Sequence, residues 1–94
     1  MLMDRARIGI IGDYNAGYTG HRDTCEALDA AGLRTGVDVG YEWVATDAIE
    51  AAGPSILDAF DGLWASPGSP YKSMDGALAG IRYAREHDRP FIGT

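Results

Sequence analysis

A single cysteine, Cys25, leaves this chain unable to form an internal disulfide and points to a reducing compartment. No apolar run approaches the roughly 20 residues that a helix needs to cross a bilayer. Basic residues are scarce as well: 8 against 14 acidic ones give a net charge of −6. Such an acidic surface repels phosphate backbones and anionic headgroups, which argues against nucleic acid and membrane as partners. The opening, MLMDRARIGIIG, follows its charges with an apolar run too short for the core of a secretory signal. Together these shortages indicate a cytoplasmic protein.

What is present is 94 residues, 46% hydrophobic and 23% charged, which suits one globular domain or part of one rather than two. Arg7 to Gly12, RIGIIG, is an Ile-rich run ended by glycine, the pattern of a strand buried on both faces in a parallel sheet. The turn formers DYNAGYTG follow as a loop. His21 to Ala31 is helix-like, with Ala27, Leu28 and Ala31 on one face, Cys25 supporting it, Thr19 placed to cap the start and Gly32 to stop the end. Val37 to Ala45 alternates Val37, Val39, Tyr41 and Trp43 with polar positions, as a second strand does.

Short helical turns then break at Gly53-Pro54. A third strand is expected at Asp61 to Ser66, followed by the proline-stiffened loop PGSPY. Ser73 can cap a helix from Met74 to about His87, whose apolar face would hold Ala77, Leu78, Ile81 and Ala84. Phe91 to Gly93 begins a fourth strand. The order β-α-β-(α)-β-α-β, with connections long enough for right-handed crossovers, describes a doubly wound parallel α/β sheet. Ligands of such sheets sit beyond the carboxyl ends of the strands. Three segments compete for that place: Asp13 to Gly20, Ser66 to Lys72, and whatever follows Thr94.

Gly12 and Gly17 have the glycine spacing of a P-loop, but Tyr18-Thr19 stands where the lysine and its hydroxyl partner must be, and glycines 9, 12, 17 and 20 do not form G-x-G-x-x-G. A tight strand-to-helix turn explains them better. His21 and Cys25, four apart, are only two ligands where zinc needs three or four, so a polar histidine near a helix start and a buried cysteine are favoured. Cys25 among Ala and Leu also lacks the electropositive setting of a nucleophile. The loop SPGSPY is more informative. Pro67 and Pro70 have no N–H, whereas Gly68 and Ser69 between them offer two adjacent donors at the end of a parallel strand, the equipment of an oxyanion hole. On composition alone an ordinary stiff turn competes with that reading.

The stretches FDGLWASPGSP, GIRYAREHDRPFIGT and RIGIIGDYNAGYTGHRDTCEAL together resemble the class I glutamine amidotransferase domain of CTP synthase. The most specific matches are Asp61-Gly62-Leu63, Pro67-Gly68, Arg82-Tyr83-Ala84-Arg85 and Pro90-Phe91-Ile92-Gly93, in order and over nearly the whole chain. The resemblance implies a flavodoxin-like, three-layer fold of which residues 1–94 are the amino-terminal half, with about four parallel strands and no second domain. It implies glutamine as substrate, no cofactor and no metal, and a Cys-His-Glu triad whose cysteine follows Thr94 directly. Gly68, with Ser69 beside it, would serve the oxyanion hole. No residue within 1–94 corresponds to nucleophile, base or orienting acid, so these residues alone should be inactive.

Three departures from the family pattern stand out. The chain begins at Met1 almost on its first strand, which suggests a stand-alone protein with no synthase domain ahead of it and leaves any ammonia-accepting synthase as a separate partner. Ser69 replaces the second glycine of the family's PGG, in a loop about one residue shorter. Asp13 stands where the synthases carry lysine. The fourth strand would also end without a covering helix, so the remainder of the domain is expected to pack there. A catalytically silent module of the same fold, binding a small metabolite or partner, is the alternative. A flavin- or nucleotide-binding domain is weaker because neither phosphate motif holds.

Overall fold

The computed structural model describes residues 5–15, 17, 19–66 and 71–93. Strands β1 (Arg5–Ile11), β2 (Asp38–Val44), β3 (Gly62–Ala65) and β4 (Phe91–Gly93) form one sheet in the order β2-β1-β3-β4, every pair parallel. The helices are α1 (Thr19–Thr35), α2 (Thr46–Ala52) and α3 (Met74–Glu86), with a 3-10 helix at Pro54–Ala59 after the break at Gly53-Pro54. This is the expected α/β doubly wound architecture.

The isoleucine run behaves as its composition requires. Ile10 and Ile11 point to opposite faces of an internal strand and are both 0% exposed. On one face, Ile11 and Leu63 join Ile49 of α2, Leu57, Phe60, and Tyr83 and Ala84 of α3 in a single core cluster. On the other, α1 packs against β2 through Leu28, giving three layers. The start of β3 is locked to β1 reciprocally: the Arg7 amide donates to Asp61 Oδ2 at 2.8 Å, and the Asp61 amide to the Arg7 carbonyl at 2.7 Å. Arg89 ties the end of α3 to the 3-10 helix by donating to the Phe60 carbonyl at 2.6 Å, and Tyr83 Oη donates to Asp58.

α1 differs from expectation in three places. α1 runs through Gly32 to Thr35 and stops at Gly36, whose φ of 73° is the left-handed conformation that ends helices, with its amide on the Gly32 carbonyl at 3.0 Å. Gly32 is small for packing instead, since a Cβ there would lie 3.2 Å from the Val37 carbonyl. Thr19 is the first helical residue rather than a residue preceding the helix. The buried side of α1 is His21, Thr24 and Leu28, while Ala27 and Ala31 are exposed, because the bulky Trp43 ring of β2 meets the His21 side, 4.8 Å between ring centres.

α3 begins as expected, with Ser73 Oγ accepting from the Gly76 amide at 2.9 Å. Its buried face is Gly76, Ala77, Gly80, Tyr83 and Ala84, and Leu78 is exposed. Small residues turn inward because α3 lies very close to α2: a Cβ on Gly76 would sit 1.8 Å from the Thr46 carbonyl oxygen.

One part of the sheet is bare. Ile8 of β1 and the paired Trp64 and Ile92 of β3 and β4 lie on the side of α1, yet α1 covers only the β2 side. With Leu28, Pro90 and Phe91 they line a shallow apolar groove of about 130 Å³, and Ile92 is 55% exposed. Trp64 Nε1 is buried with no hydrogen-bond partner among the described residues.

Candidate functional site

The carboxyl ends of β1, β3 and β4 meet at one edge. Gly12 ends β1, its amide on the Val44 carbonyl at 3.0 Å, and the Ser66 amide donates to the Ile11 carbonyl at 3.0 Å. A Cβ on Gly12 would come within 2.2 Å of Ser66 Oγ, so glycine here lets the two strand ends close up. That supports the tight-turn explanation over a phosphate loop. Gly93 pairs with Ala65, which places the end of β4 beside the root of the 66–72 loop.

Gly68 and Ser69 lie outside the described residues, as does Thr94. Both flanks of that loop are described, and both are anchored. On the near side, the Ser66 carbonyl accepts from Tyr71 Oη at 3.0 Å. On the far side, Asp13 acts as a hub. Its Oδ1 accepts from the Thr46 amide at 3.0 Å, and its Oδ2 accepts from Thr46 Oγ at 2.7 Å and the Lys72 amide at 2.9 Å. Thr46 Oγ in turn accepts from the Ser73 amide at 2.8 Å, and Ser73 Oγ donates to Glu50 at 3.0 Å. The first loop, the start of α2 and the lead-in to α3 are thus drawn together by one carboxylate.

Electrostatics follow from this geometry. Burial pushes the Asp13 carboxyl upward, but hydrogen bonds from the Lys72 amide, the Thr46 hydroxyl and the Thr46 amide, with the Lys72 charge, outweigh it and hold the pKa below the ordinary 3.8. Burial raises the Tyr71 hydroxyl; its bond to Ser66 opposes that, and the Asp13 charge adds to it. Tyr71 is therefore a neutral donor at physiological pH.

The other flank of the first loop is aromatic. Tyr14 sits edge-on to Trp43 at 5.0 Å between ring centres and stacks on His21 at 6.0 Å. His21 is buried, not a solvated polar residue, because it is part of this cluster. Its Nδ1 accepts from the Asn15 amide at 3.0 Å, and Cys25 Sγ accepts from Trp43 Nε1 at 3.4 Å. Among the described residues no three His, Cys, Asp or Glu side chains come together as a metal site would require, and no helix is long and apolar enough to cross a membrane.

Sequence reasoning found the two loops and the capping serine but not their connection. Asp13 is 33 residues from Thr46 and 59 from Lys72, and no local spacing encodes such a contact. The available signal was an acidic side chain directly after a buried strand, in a segment already expected at the ligand end of the sheet.

No family model matches the chain. It is 34% identical over 92 residues to the CTP synthase of Pyrococcus abyssi, covering 98% of this chain and 17% of that protein. It is 36% identical over 94 residues to the CTP synthase of Methanopyrus kandleri, again across 17% of the relative. The chain therefore spans about a sixth of the length of the curated relatives it matches. Among solved structures, the Trypanosoma brucei CTPS glutaminase domain with bound acivicin superimposes with a TM-score of 0.81, at 22% identity, over 94% of this chain and 35% of that one. Along nearly its whole length the chain is thus similar in sequence to about a sixth of the CTP synthases, and its fold is that of the Trypanosoma brucei CTPS glutaminase domain.

Proposed function

We propose that the polypeptide carrying this segment is a class I glutamine amidotransferase, and that residues 1–94 are the amino-terminal half of its catalytic domain. A cysteine directly after Thr94 would supply the thiolate, and a later histidine and glutamate would complete the triad. The thiolate attacks the side-chain amide carbon of glutamine, and ammonia departs with a proton delivered by the histidine. Water then cleaves the thioester to give glutamate and regenerates the thiol. Gly68, with Ser69, would hold the oxyanion of each tetrahedral intermediate. The remainder of the domain would cover Ile8, Trp64 and Ile92, and a synthase partner would accept the ammonia.

The observation that carries this reading is the register of Gly93 with Ala65. A residue following Thr94 would emerge next to the loop that holds Gly68, where a nucleophile and its oxyanion donors have to be neighbours. The test is release of glutamate from glutamine by the full-length gene product and by a variant with the cysteine after Thr94 replaced by alanine. Activity in the first and its loss in the second are expected. Glutamate release that survives the replacement would refute the mechanism. If the residue after Thr94 is not cysteine, a catalytically silent binding module of the same fold takes its place.

A further inference from the structure

We infer that Asp13 is a positioning residue, a latch that holds Lys72 and Ser73, the lead-in to α3, against the start of α2 in the geometry glutamine hydrolysis needs; the inference rests on the function proposed above. Both described flanks of the loop, Ser66 with Tyr71 and Lys72 with Ser73, are held by side chains. Tyr71 Oη closes the near end on the Ser66 carbonyl, 3.0 Å. Asp13 and Thr46 take both far-end amides, Lys72 at 2.9 Å and Ser73 at 2.8 Å. The anchor of the far end is itself rigid. Thr46 is 0% exposed, and α3 abuts it so closely that Gly76 has no room for a Cβ. Oxyanion donors must be set within a fraction of an ångström before the substrate arrives, and an amide pair on an untethered loop would not be.

The chemistry of the hub demands a carboxylate. Three donors converge on Asp13, one on Oδ1 and two on Oδ2, and the two backbone amides among them cannot accept. An asparagine has one acceptor oxygen, so either orientation turns its NH2 against a donor. If the oxygen faces Lys72 and the Thr46 hydroxyl, the amide nitrogen opposes the Thr46 N–H; if it is flipped, the Lys72 N–H loses its partner. Asp13→Asn is therefore a near-isosteric change that breaks the latch. Thr46→Val removes the hydroxyl that links Asp13 to Ser73, whereas Thr46→Ser keeps it.

The experiment uses the full-length gene product and two readouts. In steady-state glutaminase assays, D13N is expected to lower kcat by about tenfold with KM changed less than about twofold, since misplaced oxyanion donors act on the transition state. T46V should do likewise, and T46S should restore most of what T46V loses. In amide hydrogen exchange, Lys72 and Ser73 should exchange at least about tenfold faster in D13N while Ile10 and Ile11 are unchanged. A D13N enzyme with wild-type kcat per folded molecule would overturn the inference, as would unaltered exchange at Lys72 and Ser73. Absence of glutaminase activity from the wild type would instead sink the proposed function, and the exchange data would still decide whether the latch exists.

Discussion

Asp13 and Gly36 show two ways in which one residue can be irreplaceable. The folded pKa of Asp13 lies below 3.8, so its carboxylate stabilises the fold fully above that value and loses its contribution as pH falls through the lower, folded pKa. Denaturant unfolding of wild type and D13N across pH should show a constant gap near neutrality, about 1–3 kcal/mol, that narrows once the pH is below 3.8. A gap that widened in acid would contradict the hub. At Gly36 the demand is conformational only: φ is 73°, and a Cβ would meet no heavy atom within 4 Å. Gly36→Ala should therefore lower stability by about 1 kcal/mol without altering the structure, as urea melts with an unchanged slope would show. Neither role was legible in the sequence, because Gly32 advertises a helix end just as well and Asp13 has its partners far along the chain.

At the scale of elements, the junction of α2 with α3 is the tightest contact. Ser73 caps α3 and also reaches Glu50 of α2 at 3.0 Å, so Ser73→Ala should cost about 1 kcal/mol. Gly76→Ala is a different matter. The added methyl would have to displace backbone at 1.8 Å, and the two helices must part, for a loss of about 3 kcal/mol in thermal or denaturant unfolding. If Gly76→Ala proved as mild as Gly36→Ala, the close approach of the helices would be wrong. The strands were all readable, from an isoleucine run, an alternating β2 and glycine-bounded short runs, because period and burial agree there. The inward faces of α1 and α3 were readable only in part: Leu28, Ala77 and Ala84 are buried as expected, whereas Ala27, Ala31 and Leu78 are exposed. Alanine is compatible with either side of a helix, and the side that faced inward was chosen by Trp43 in one case and by the crowding of α2 in the other.

For the molecule as a whole, the sheet is asymmetrically clothed. α2 and α3 pack over Ile11, Val44 and Leu63 on one face, while α1 covers only the β2 half of the other and leaves Trp64 and Ile92 as neighbours in a bare strip. Residues 1–94 expressed alone should bind a hydrophobic dye through this strip, and Ile92→Lys should reduce that binding several-fold. Dye binding indifferent to the substitution would place the exposed surface elsewhere. The topology itself was accessible from sequence, since alternating strands and helices with long crossovers leave few parallel arrangements. The bare strip was expected only in outline, as a fourth strand with nothing to cover it.

The strand order has a consequence in time. β1 is made first but lies inside the sheet, and Arg7 waits 54 residues for Asp61, the partner that locks β3 beside it. At typical synthesis rates that interval is about 3 to 11 seconds. Through it, β1 has at best β2 on one flank, and Ile11 lacks the Leu63 and Tyr83 side of its core. A nascent chain would thus carry a sticky, half-paired isoleucine strand while the ribosome is still reading codons for its shelter. Codon choice between positions 12 and 65 is accordingly a control on how much of this protein reaches its native sheet, and faster codons there should raise the soluble yield.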